Sequence, residues 1–352
     1  MNRPKQQKQL RRGLLNLICG FLCSCASYPG VEFDASKAHH GDGEFVALVK
    51  PSLVKYFFMR LREDGPAPID PEEAASLVVE ADLALIESQA QQPRATWIGH
   101  ATTLVQYRGI NYLTDPHLTQ YPFSNGFYVD PRYTQPGLSF EQLPSIDFVV
   151  ISHNHYDSLD RETVAMFGDS VMWYVPLGLK AWFLGRGISA DRVVELDWWQ
   201  SHRFNQRVEV TMTPAQHWSK RNPWDTNESL WGGWVVQIDD FRSYFVGDTG
   251  YNDSYFRQIG ERLGPFRLAM IPIGAYDPRY FMSGHHVDPA QAVDIHLEVG
   301  ASQSLPIHWG TFQLTTEPIL EPAQLLTSEM NKRGLPPEQF RPLKIGETLV
   351  LD

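Results

Sequence analysis

The densest chemistry in the chain is His153-Asn154-His155-Tyr156-Asp157, which follows directly on the apolar run Phe148-Val149-Val150-Ile151. Side chains at i, i+2 and i+4 share one side of an extended chain, and a loop at a strand end can instead wrap them around one point. Two imidazoles and a carboxylate so placed suit zinc or another first-row metal. Three more residues occupy the same setting, each beyond an apolar run. His217 follows Val208–Thr213 through Pro214-Ala215-Gln216, Asp248 follows Tyr244-Phe245-Val246-Gly247, and His308 follows Leu305-Pro306-Ile307. Singly, each could be a buried polar residue with satisfied hydrogen bonds. Together they mark an edge where several strands end, and such an edge can house a shared site. Other chemistries leave no trace: there is no Gly-x-Ser-x-Gly elbow, no P-loop and no Gly-x-Gly-x-x-Gly.

The elements that must position these residues are read from short apolar runs separated by turn signals. Strands are expected at 95–98, 102–107, 110–114, 147–151, 171–175, 192–196, 207–213, 231–238, 242–247, 267–272, 303–307 and 347–351. Asp239-Asp240 reads as a hairpin turn between two of them. Helices fit 46–63, 71–92, 177–184, 251–262, 288–299 and 321–333. The helix at 288–299 opens with Asp288-Pro289 and has Gln291 three residues on, which combines an N-cap, a proline at the first helical position and a capping box. Strands come first in each half and helices later, which fits two packed sheets covered by helices. A chain of 352 residues that is 43% hydrophobic is long and apolar enough for two domains or one large layered one.

The strings around the histidines carry a resemblance. The order His153-x-His155-x-Asp157, His217, Asp248, His308 is similar to the ligand order of the metallo-β-lactamase fold. His153–Asp157 with Leu159-Asp160, Pro214-Ala215-Gln216-His217-Trp218, Gly247-Asp248-Thr249-Gly250-Tyr251, Ile271-Pro272-Ile273-Gly274-Ala275-Tyr276 and Ile307-His308-Trp309-Gly310-Thr311-Phe312 together resemble the N-acylphosphatidylethanolamine-hydrolysing phospholipase D family. The likeness runs from about Trp97 to about Pro322. It implies an α/β, four-layer αββα sandwich of two similar halves, with the hydrolase domain at 93–352 preceded by a tether and N-terminal helices at 26–92.

Carried over residue by residue, the resemblance gives one metal to His153, His155 and His217, and a second to Asp157 and His308, with Asp248 bridging both and handling protons. The ions implied are zinc, with manganese or iron at the second position. The family has a second-metal histidine immediately after the aspartate, and this chain has Ser158. The second position is therefore expected to bind more weakly, with metal content between one and two per chain. Asp115, in Leu113-Thr114-Asp115-Pro116, looks like the carboxylate that orients a ligand histidine. His100, His286 and Tyr156 are substrate-binding candidates, His286 because it precedes a helix where an anionic headgroup could sit. His39, His40, His117, His202, His285 and His296 are expected to do nothing chemical.

The implied reaction is hydrolysis of a phosphodiester at a glycerophospholipid headgroup, since a metal-held water loses a proton near neutral pH and becomes a nucleophile. The fold also hosts lactonases and thioesterases, and a non-catalytic metal-binding lipoprotein is the remaining alternative. The body of the protein is acidic. Residues 1–25 hold five basic residues and no acidic one, so the remainder has 25 basic against 41 acidic side chains. Such a surface repels polyanions, and no nucleic-acid partner is expected. The same 25 residues read as a signal: a basic start, an apolar run Gly13–Leu22, then Leu22-Cys23-Ser24-Cys25, which resembles a bacterial lipobox with Cys25 as the lipidated residue. All three cysteines lie there, so none is left for zinc or for a disulfide in the body. The expected setting is the bacterial cell envelope, a lipoprotein anchored in the outer membrane and facing the periplasm.

Overall fold

The computed structural model describes residues 30–50, 69–123 and 130–351. Among these residues two sheets account for thirteen strands. The first contains β1 (Arg94–Gly99), β2 (Thr102–Tyr107), β3 (Ile110–Thr114), β4 (Phe148–Val150), β5 (Met172–Pro176), β6 (Val193–Leu196) and β13 (Thr348–Val350), in the order β13-β1-β2-β3-β4-β5-β6. The second contains β7 (Ser201–Arg203), β8 (Val208–Thr213), β9 (Gly233–Ile238), β10 (Phe241–Phe245), β11 (Phe266–Pro272) and β12 (Ala301–Ile307), in the order β12-β11-β10-β9-β8-β7. Each begins with antiparallel neighbours and continues into parallel ones, β3 to β6 in the first sheet and β10 to β12 in the second. The parallel strands of each sheet therefore end on one edge.

Sequence alternation decides what each face buries. Trp97, Val105, Tyr112, Phe148, Val150 and Tyr174 join the core shared with the second sheet. Their neighbours Ile98, Leu104, Leu113, Val149, Ile151, Trp173 and Val175 form a separate core with residues of α3 (Arg161–Phe167) and α4 (Lys180–Leu184). On the far side, α7 (Pro289–Glu298) lies against β11 and β12 and is flanked by α5 (Tyr255–Leu263) and α8 (Glu321–Lys332). Helix α7 starts as its sequence demands: Asp288 accepts from Gln291 N at 2.9 Å and the Gln291 side chain accepts from Asp288 N. Asp239 turns the β9–β10 hairpin with φ +51°. The result is a sandwich of two sheets with helices outside, the four-layer arrangement expected.

Three expectations change. The stretch 71–92 is not one helix but α1 (Pro71–Ser76) and α2 (Leu83–Glu87). Between them Val79 N donates to Ile345 O and Ile345 N to Leu77 O, so the backbone groups that would continue α1 are taken by the C-terminal region. Residues 46–50 of the expected 46–63 helix are not helical, and the rest of that stretch lies outside the described residues. The sequence reading also passed over α3, β7 and the single turn α6 (Arg279–Met282). Among the described residues no helix is long and apolar enough to cross a membrane. Cys25 and the apolar run before it lie outside the described residues.

Residues 30–50 are fastened through Asp197, whose side chain is 1% exposed. Lys37 Nζ (2.6 Å) and His40 Nε2 (3.0 Å) meet its Oδ2, while His39 Nε2 and Trp198 N (both 2.7 Å) meet Oδ1. Burial opposes the charge, but hydrogen bonds from His39 and Lys37 hold this carboxyl well below the ordinary range. Burial likewise holds the His40 imidazole below its usual value. Both groups bind fewer protons folded than unfolded. Their contribution is complete above about pH 6.5, declines as the unfolded chain protonates His40, and declines again below about 3.9 for Asp197. Asp197→Asn should cost about 2 kcal/mol near neutral pH and flatten the acid limb of a melting-temperature profile. An unchanged acid limb would remove Asp197 from this account.

Candidate metal centre

The loop after β4 is rigid before any ion is considered. Asp160 caps α3 by accepting from Glu162 N and Thr163 N. Arg221 Nη1 donates to the carbonyls of Asn154 (3.0 Å), His155 (3.4 Å) and Leu159 (2.7 Å), clamping the His-x-His-x-Asp loop from the facing chain. The two sheets meet directly beside it. Gly232 N donates to Ser152 O at 3.0 Å. At Gly247, φ is +66° and an added Cβ would sit 2.7 Å from Ser152 Cβ. Only glycine allows that approach.

On this edge the candidates converge. His155 Nδ1 lies 2.8 Å from His153 Nε2 and 3.1 Å from His217 Nε2. A tetrahedral ion with bonds of about 2.0–2.1 Å spaces its ligand atoms about 3.3 Å apart, so little movement is needed to hold one. Asp248 Oδ2 lies 3.7 Å from His153 Nε2, 3.9 Å from His217 Nε2 and 3.1 Å from His308 Nε2. It therefore faces a second group, in which Asp157 Oδ2 lies 3.4 Å from His308 Nε2 and 3.2 Å from His100 Nε2. His286 stands against both, its ring 5.2 Å from that of His217 and 5.3 Å from that of His308. All six residues of the inferred ligand order are thus brought together, with His100 and His286 beside them. Tyr156 is placed differently: its hydroxyl donates to Arg221 O at 2.7 Å and its ring packs on Phe123.

Electrostatics favour cations here. Burial, reinforced by the neighbouring imidazoles, holds His153 and His217 well below the usual histidine range. Burial brings His155 down to about 4. Neutral imidazoles keep the lone pairs that a metal requires. Burial also acts against charge on His308, but Asp248 and Asp157 overcome it and raise the group to about 10. For Asp157 burial is outweighed by His100 and His308, and the carboxyl stays far below its ordinary value. Asp248 is raised by burial and by Asp157. Several polar atoms buried in this centre have no hydrogen-bond partner among the described residues: His155 Nε2, His308 Nδ1 and His286 Nδ1. Divalent ions fit such a donor set.

The surroundings aim the ligands. His217 Nδ1 lies 2.9 Å from His285 O, which leaves Nε2 for a metal. Asp115 accepts from Ser152 N at 2.7 Å and from the Ser152 hydroxyl, whose oxygen lies 2.8 Å from His153 Nδ1. Asp115 reaches His153 through this serine. Burial lifts the Asp115 carboxyl well above its ordinary range against those bonds. Asp115→Asn should weaken binding at the His153 position by about 10–100-fold, measured by chelator competition. Unchanged affinity would make Asp115 a packing residue only. His100, Asp115, Ala275 and His308 all hold positive φ, from +31° to +61°. Such backbone strain gathers at sites that the fold over-determines.

Sequence reasoning missed three contributors. His285 acts through its carbonyl, for which a side-chain audit has no signal. Arg221 and Ser152 were not singled out, although a basic residue a few positions beyond His217 and a serine adjoining His153 were there to be weighed.

Comparison with known proteins agrees with this geometry. Residues 110–309 match the Beta-lactamase superfamily domain. The chain is 40% identical over 312 residues to N-acyl-phosphatidylethanolamine-hydrolyzing phospholipase D 1 of Caenorhabditis elegans, covering 85% of this chain and 88% of that one. It is 32% identical over 301 residues to the mitochondrial N-acyl-phosphatidylethanolamine-hydrolyzing phospholipase D of Saccharomyces cerevisiae, covering 81% of this chain and 64% of the yeast protein. Igni18, a metallo hydrolase from Ignicoccus hospitalis, shares the fold with a TM-score of 0.56 at 20% identity, over 74% of this chain and 99% of its own.

Proposed function

The chain belongs to the beta-lactamase superfamily of metal-dependent hydrolases, and from that premise we propose that it hydrolyses the headgroup phosphodiester of a glycerophospholipid, an N-acylphosphatidylethanolamine or a close chemical relative. The observation carrying this reading is the 40% identity to a worm protein whose name states that activity, over 88% of its length. The centre is chemically suited to it. Divalent ions held by His153, His155, His217, Asp157, His308 and Asp248 would offset the phosphodiester charge and activate the attacking water. Asp248, which faces both groups of ligands, would take the proton and return it to the departing alcohol. His286 is held neutral by burial and presents an unpartnered Nδ1, which can hydrogen-bond a phosphoryl oxygen without adding charge. Water adds to phosphorus, the bond to the N-acylethanolamine oxygen breaks, and phosphatidate is the second product.

The rim supports a lipid substrate. Two exposed apolar side chains adjoin segments of the site, Phe123 (40%) against Tyr156 and Val49 (39%) against Gly284, and Trp224 (63%) and Tyr280 (65%) are exposed on neighbouring stretches of sequence. Lipidation at Cys25 and a place in the cell envelope would set this rim against headgroups. The test is a panel of N-acylphosphatidylethanolamine, phosphatidylcholine, lactone and thioester substrates offered to metal-loaded protein. Phosphatidate release from the first is expected. Lactone or thioester turnover without phosphatidate would replace the reading, and bound metal with no turnover on any member would favour a binding protein.

A further inference from the structure

We infer that His100 supplies the second metal position with the imidazole that Ser158 does not provide. The inference rests on the centre being a metal site, and begins from Ser158 itself. Its side chain is fully buried. The side chain adjoins Asp115 and lowers that carboxyl. Nothing in this arrangement makes Ser158 a ligand.

His100 is in the right place instead. One ligand atom each from His100, Asp157 and His308 lies within 4.8 Å of the others, the same standard met by His153, His155 and His217. His100 and His308 address the same carboxylate oxygen, Asp157 Oδ2, at 3.2 and 3.4 Å, with their rings 4.1 Å apart. The backbone of His100 is fixed on every side. Its N–H donates to Thr311 Oγ1 at 2.7 Å, and its carbonyl accepts from Trp97 Nε1 and His308 N, both at 2.9 Å. Its φ of +50° holds the residue in the left-handed region, where the turn between β1 and β2 aims the ring at Asp157. A residue needed only to cover the cleft requires no such fixing. The direct bond from His308 N to His100 O also ties the two backbones together at the site.

The second position then has two imidazoles and two carboxylates: His100, His308, Asp157 and Asp248. That set suits zinc as well as the first position does, and it removes the reason to expect a weak second site. The family's ligand comes from the residue after the aspartate; here it would come from a different strand end, across the sheet.

The test is metal stoichiometry of the full-length protein by elemental analysis, with zinc titration and the visible spectrum of the cobalt-substituted form as readouts independent of turnover. The natural protein should bind two ions tightly. His100→Ala should keep one and weaken the second at least tenfold, with loss of one cobalt component. His100→Gln preserves a hydrogen bond to Asp157 but is a poor ligand, and should behave like His100→Ala. Ser158→His in the natural background should bring no tenfold gain. Two tight ions in His100→Ala, a second ion retained in His100→Gln alone, or a tenfold gain in Ser158→His would each overturn the assignment. If the natural protein binds no metal, the functional reading itself fails, which is a distinguishable result.

Discussion

Asp248→Ala should abolish both metal positions and lower turnover by at least about a thousandfold, equivalent to about 4 kcal/mol of transition-state stabilisation. A single oxygen, Asp248 Oδ2, stands 3.1 Å from His308 and 3.7 Å from His153, so one substitution removes a ligand from each group. The loss also deprives His308 of the negative charge that most raises its pKa. Asp248→Asn separates charge from shape. It should retain fold and packing yet hold less than one ion per chain. Full metal content with turnover reduced only a few-fold would show that the two positions do not share this carboxylate.

The second large effect is expected at the three-imidazole set. Alanine at His153, His155 or His217 should eliminate the tightly bound ion and reduce turnover by at least about a hundredfold, beyond the 10–100-fold typical of residues that merely orient a ligand. His217→Ala offers an internal check, because His217 arrives from the second sheet and its Nδ1 is engaged by His285 O. If ions survive in His217→Ala but not in His153→Ala, the first position is built from one sheet alone. Elemental analysis after dialysis, set against the melting temperature, distinguishes loss of metal from loss of fold.

How much of this was legible in the sequence depends on the range of the forces involved. Apolar alternation is local, and every strand expected from it is found, most within a residue or two of its bounds. The six ligand candidates were legible because each sits just beyond such a run, and a strand end is a position that sequence can mark. The stretch 71–92 was misread because pairing of Leu77 and Val79 with Ile345, across more than 260 residues, outweighs local helix preference. Helix α3 carried a readable start in Asp160 with Glu162 behind it, but at seven residues it is too short for apolar periodicity to mark it. The position of His100 against Asp157 depends on the order of strands in the sheet, which no local pattern encodes. The same holds for Arg221, whose three bonds are to backbone carbonyls 62–67 residues away.

The meeting of the two sheets beside Ser152 and Gly247 has a thermodynamic consequence. His153, His155 and Asp157 belong to one half of the sandwich, and His217, Asp248 and His308 to the other. Neither half alone contains a complete ligand set, so an ion gains its full affinity only when the halves are docked in register. Each bound ion then acts as a rivet whose strength depends on free metal: at a hundred times the dissociation constant it adds about 2.7 kcal/mol to the docked state. Scarcity of metal would loosen the join between the halves as well as silence the chemistry, and the enzyme's lifetime in the cell would follow the metal supply.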